Sequence, residues 1–95
     1  MNSYEALYII KPDVEDEARA ALIAKFNEII TADGGEVENV DEWGKRKLAY
    51  EINYIGEGYY VLVNFKAKSE LPAELERNFK INDNVMRYMV IRKEA

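Results

Sequence analysis

Residues 59–67, Tyr-Tyr-Val-Leu-Val-Asn-Phe-Lys-Ala, constrain the fold of this chain more than any other segment. Aromatic and β-branched residues at this density make a strand. Side chains alternate along a strand, so Val61, Val63 and Phe65 point one way and Tyr60, Leu62 and Asn64 the other. Such a strand needs paired neighbours and a covering layer. Three further segments supply the neighbours. Residues 4–10, Tyr-Glu-Ala-Leu-Tyr-Ile-Ile, form a strand that stops at Lys11-Pro12-Asp13, because proline brings no donor to the ladder. Residues 36–52 form an extended segment in two halves, with a bulge or kink expected at Trp43-Gly44. Residues 53–58, with Gly56 and Gly58, are the expected turn of the hairpin, and residues 85–92 form the last strand.

Two helices supply the covering layer. Over residues 14–32, Val14, Ala18, Ala21, Leu22, Phe26, Ile29 and Ile30 make a helical stripe. Glu15, Asp16 and Glu17 suit its first turn, and Gly34-Gly35 its C-terminal stop. The second helix takes Ser69 as its N-cap, tolerates Pro72 in its first turn and carries Leu71, Leu75 and Phe79 on one face. Asn82-Asp83-Asn84 breaks it, and Lys93-Glu94-Ala95 is a short tail. The order β-α-β-β-α-β is the split βαβ, or ferredoxin-like, arrangement. The expected fold is α+β: one domain over 1–95, with a four-stranded antiparallel sheet and two helices on one face.

Two helices cover one face of such a sheet. With Ala6, Tyr8, Ile10, Val61, Val63, Phe65, Tyr88 and Val90 turned inward, the other face holds Leu7, Ile9, Ala49, Tyr60, Leu62, Met89 and Ile91. Glu5, Lys47, Glu51 and Arg87 fringe it. Contiguous exposed apolar surface marks an interaction site, so this face is the expected docking surface. Scattered exposed apolar residues are the plainer alternative.

The chemistry of catalysis is missing. The chain of 95 residues has no cysteine and no histidine, which removes thiolate nucleophiles, disulfides, the commonest general base and the usual zinc ligands. Glu15-Asp16-Glu17 and Asp41-Glu42 fit a helix first turn and a solvated strand edge better than a catalytic pair. There is no phosphate-cradling glycine motif, so no metal, cofactor or small-molecule ligand is expected. No apolar run is long enough to span a membrane and the first residues do not resemble a secretion signal; an intracellular protein is expected. The net charge of −5 excludes a generic polycation but leaves room for local basic patches. Lys45-Arg46-Lys47 is the densest basic run, and Arg87, Arg92 and Lys93 form a second set. They suit contact with phosphate or an acidic partner, or protection of the two sheet edges.

Three blocks are more specific. Tyr4-Glu5 is followed by Pro12; then come Gly44-Lys45-Arg46-Lys47-Leu48-Ala49-Tyr50-Glu51-Ile52 and Ile81-Asn82-Asp83-Asn84-Val85-Met86-Arg87. Together they resemble the bacterial small-subunit ribosomal protein S-six family, the middle block matching its G-x-R-x-L-A-Y-x-I signature. The resemblance covers essentially the whole chain. It implies a structural protein of the cytoplasmic ribosome that binds 16S ribosomal RNA as a heterodimer with the small-subunit protein S-eighteen. On that basis the RNA contacts are Tyr4, Arg87, Arg92 and Lys93. The partner-protein contacts are Leu7, Lys45, Arg46, Lys47, Ala49, Tyr60, Leu62 and Met89. A ligand-sensing module that dimerises through its open sheet is a second reading of the same residues, and a small phosphatase-like enzyme a distant third. No role follows for Trp43.

Overall fold

A computed structural model describes residues 1–52 and 54–93. The chain runs β1 (Asn2–Ile10), α1 (Asp16–Ala32), β2 (Glu36–Ile52), β3 (Ile55–Ala67), α2 (Leu71–Ile81) and β4 (Val85–Arg92). The strands form one antiparallel sheet in the order β2-β3-β1-β4. The split βαβ expectation holds, with β2 and β4 at the edges.

The alternation of β3 decides the layers. Val61, Val63, Phe65 and Ala67 are buried with Tyr4, Ala6, Tyr8 and Ile10 of β1, and the helices add Ile23, Phe26, Ile30, Leu71, Leu75 and Phe79 to the same core. Tyr8, Phe26 and Phe79 form its centre, with ring centroids 4.6 to 5.2 Å apart. Full burial of such side chains contributes about 1.5–3 kcal/mol each. The Tyr8 hydroxyl is buried there with no hydrogen-bond partner. Burial, and secondarily the charge of Glu42, push its pKa up.

Several boundaries move. Helix α1 starts at Asp16, two residues after the expected start, and Ala18 and Ala21 are exposed while Ile23 joins the core. Gly34, at φ +85, ends the helix as expected; its N–H donates to Thr31 O and that of Gly35 to Ile30 O, each at 3.0 Å. Ser69 is not the N-cap of α2; Glu70 holds that place and the Ser69 hydroxyl donates to its carboxylate at 2.8 Å.

The larger correction concerns the hairpin. Gly56 and Gly58 lie inside β3, and the described turn residue is Tyr54, at φ 66; Asn53, part of the expected turn, lies outside the described residues, as do Glu94 and Ala95 of the tail. Gly58 is required by close approach: a Cβ there would lie 2.3 Å from Ile9 Cγ2. The expected irregularity at Trp43-Gly44 is present, because register slips between Glu42 and Gly44 and Gly44 sits at φ +83. Two further slips fall between Val37 and Asn39 and between Lys47 and Ile52. The segment Leu48–Glu51 is therefore an arm with no register partner on β3.

Candidate functional site

The register sets out the face away from the helices as rows across the four strands. Asp41, Leu62, Leu7 and Met89 form one row. Asn39, Asn64, Glu5 and Ile91 lie on one side of it, and Gly44, Tyr60, Ile9 and Arg87 on the other. Met89 is 55% exposed and Ile91 44%. Leu7, Ile9, Arg87, Tyr88 and Met89 line a shallow hollow of about 180 Å³.

The face is not uniformly open. Ile9 is only 7% exposed, packed over Gly58. The arm curls round the end of the sheet, so that Ile52 and Ile55 line one hollow with Lys11, Val85 and Met86. Tyr50 on the arm reaches β4, where an Arg87 Nη1–H donates to its hydroxyl and the guanidinium lies 5.4 Å from the ring centroid. The expected patch thus splits into a covered part at Ile9 and an open part at Leu7, Leu62, Met89 and Ile91.

A second aromatic group stands at the β2 bulge. Trp43 stacks on Tyr60 at 6.0 Å with 10° between the rings, and its indole N–H donates to Asp41 Oδ2 at 3.1 Å. The Arg46 guanidinium lies 5.1 Å from the Trp43 ring. Trp43 on β2 and Arg87 on β4 are three strand spacings apart, about 14 Å. Among the described residues, neither Arg46 nor Arg87 has a carboxylate within ion-pair distance.

Of the residues singled out from sequence, Leu7, Leu62 and Met89 fall in one row, with Tyr60 in the next. Arg46 lies opposite Gly58, hence on this face; Lys45 and Lys47 lie opposite Tyr59 and Glu57, so alternation turns them to the other side. Ala49 is exposed on the arm, between the pairings of Lys47 and Ile52. The second basic set is divided. Arg92 pairs in register with Tyr4, on the helix side of β4, and donates to Asn2 Oδ1 at 3.0 Å. Lys93 is tied by its backbone N–H to Ser3 O at 2.8 Å. Both sit at the far end of β4 from Arg87.

Tyr4 corrects an expectation. Its ring is 6% exposed and stacks on Phe65 at 5.5 Å, inside the core, so it offers no face to a base. Sequence reasoning also passed over Tyr50 as a surface residue and left Trp43 unplaced. The signal available for Trp43 was its place beside the bulge glycine, which frees a side chain from the strict alternation.

Two acidic groups on the helices have structural partners on their own helix. Glu74 accepts two hydrogen bonds from Arg77, at 2.7 and 3.2 Å, which hold its carboxyl below the usual value. Asp16 pairs with Arg19 at 2.7 Å. Among the described residues no group of three acidic side chains is placed to hold a metal ion, and no helix is long and apolar enough to cross a membrane.

One four-stranded antiparallel sheet with two helices on one face, and arginines over aromatic rings on the other, define a protein of the split βαβ, ferredoxin-like class. The family model described as ribosomal protein S6 matches residues 3–92. The small ribosomal subunit protein bS6 of Alkaliphilus oremlandii is 61% identical over 94 residues and that of Clostridium novyi 58%, with 99% of each chain covered in both cases. The crystal structure of 30S ribosomal protein S6 from Thermotoga maritima superposes with a TM-score of 0.91 at 31% identity, over 97% of this chain and 87% of that one. The chain belongs to the ribosomal protein S6 family. It is a structural component of the small ribosomal subunit, in the cytoplasm, and not an enzyme.

Proposed function

We propose that this chain binds 16S ribosomal RNA as a heterodimer with the small-subunit protein S-eighteen. The open row Leu7, Leu62 and Met89, with Tyr60 and Arg46 beside it, receives the partner protein; Ala49 extends that contact along β2, and Lys45 and Lys47 meet the part of the partner that wraps round the β2 edge. Arg87, and at the other end of β4 Arg92 and Lys93, meet RNA phosphates. The observation that carries this reading is the coexistence, on one face, of exposed apolar side chains and arginines with no carboxylate partner among the described residues. Apolar surface suits a protein, and un-neutralised guanidinium groups suit phosphate. The arrangement also accounts for an acidic protein, of net charge −5, in an RNA particle, because local fields and a partner make the contact.

The test is RNA binding by this chain, by S-eighteen and by the two together, at salt concentrations from about 50 to about 200 mM. Tight binding is expected only for the pair, with log affinity falling linearly with log salt. Equal binding with and without the partner would overturn the proposal.

A further inference from the structure

The Arg87–Tyr50 contact joins residues 37 apart in the chain, and it joins the unpaired arm to the opposite edge of the sheet. We propose that Tyr50 is the positioning residue for Arg87, and that the arm is a latch holding this guanidinium ready for a phosphodiester group. The inference rests on the RNA reading of Arg87 given above.

An exposed arginine side chain samples many rotamers, and ordering it at the moment of binding weakens the contact. A carboxylate partner would order it but would also neutralise it. An aromatic ring orders the guanidinium through its quadrupole and leaves the charge in place. Both arginines of the open face have a ring and no carboxylate among the described residues, Arg87 with Tyr50 and Arg46 with Trp43, whereas on the helices Arg19 meets Asp16 as well as the Tyr59 ring and Arg77 meets Glu74. The Tyr50 hydroxyl adds a neutral hydrogen bond, which a phosphate oxygen replaces with a stronger, charge-assisted one. The ring therefore aims the group, and the hydroxyl is the ligand given up.

The experiment is a double-mutant cycle on RNA binding by the assembled heterodimer, with affinity for S-eighteen and thermal melting as controls for docking and folding. Arg87→Ala is expected to weaken binding about 10-fold and to reduce the salt slope by about one phosphate contact. Tyr50→Ala is expected to weaken it roughly 3-fold in the natural chain and to add nothing in the Arg87→Ala background. Tyr50→Phe, which keeps the ring, is expected to bind at least as tightly as the natural chain. A Tyr50→Ala variant that binds normally, or whose loss persists in full without Arg87, overturns the latch alone. Tyr50→Phe as weak as Tyr50→Ala overturns the assignment to the ring. Unchanged affinity and slope for Arg87→Ala would instead remove the RNA reading of Arg87, and the latch with it.

Discussion

The arginines on the two helices and those on the free face of the sheet differ in one respect, a carboxylate partner. On the helices, Arg19 and Arg77 are each paired at 2.7 Å with a carboxylate one helical turn away, and Arg19 also lies 3.9 Å from the Tyr59 ring centroid. On the other side, Arg46 and Arg87 lie over Trp43 and Tyr50. Helical ion pairs at the surface are screened by solvent and contribute little. Guanidinium groups held by aromatic rings keep their full charge, so the face that carries them is prepared for an anion. The aromatic residues divide in the same manner. Tyr8, Phe26 and Phe79 pack together in the core, while Trp43, Tyr50 and Tyr60 orient groups on the surface.

This contrast is open to direct attack. The largest effect belongs to Phe79, which touches both other core rings. Phe79→Ala is expected to cost about 3–5 kcal/mol, a large part of the stability of a small domain, measured by urea unfolding. On the opposite face, Leu62→Asp is expected to leave the melt nearly unchanged and to weaken binding of S-eighteen by about 100-fold or more; Val63→Asp, one residue away, is expected to unfold the chain. If Leu62→Asp also unfolds it, the open face is core and the comparison fails.

Gly58→Ala tests the covered part of that face. The new Cβ has no room against the branched Ile9 side chain, and a loss of about 1–3 kcal/mol is expected. An unchanged melt would mean that the arm and Ile9 yield easily. Tyr8→Phe removes a buried hydroxyl without a partner, so stability at neutral pH is expected to stay within about 1 kcal/mol of the natural chain or to rise. Its clearer signature is in alkali. The folded chain holds the Tyr8 proton more tightly than the unfolded chain, whose tyrosine titrates near pH 10. That contribution is complete below this value and is lost as pH rises above it. The natural chain should therefore lose more stability between about pH 9 and about pH 11 than Tyr8→Phe. Tyr59, whose pKa is also raised by burial and by its bond to Glu42, leaves a residual dependence in both. The smallest effect is expected for Arg77→Ala, with RNA affinity unaltered; a loss there like that of Arg87→Ala would erase the distinction between the faces.

Much of the fold was legible in the residues. Alternation in β1 and β3 placed Ala6, Tyr8, Val61 and Val63 inside and Leu7 and Leu62 outside. The stripe Leu71, Leu75 and Phe79 placed α2. Errors arose where glycine has two meanings. Gly56 and Gly58 look like turn residues, yet they serve a strand that passes close under Ile9. Tyr4 was assigned to the surface through the family resemblance, although its own alternation with Ala6 and Tyr8 puts it in the core. The basic residues were legible as types but not as a surface, because Arg87 and Arg92 differ by an odd number of residues and so face opposite sides of β4.

By itself, the order of periodicities in this sequence determined the split βαβ fold, the inner faces of the strands and the absence of histidine and cysteine chemistry. Those are local properties, read from spacing and residue type. Only the tertiary structure decided that part of the free face is covered and that Arg87 is held by Tyr50. These facts depend on a register slip in β2 that releases the arm. They depend also on a sheet order that brings β4 beside β1, and no spacing along the chain encodes a contact between groups that meet only after the sheet has closed.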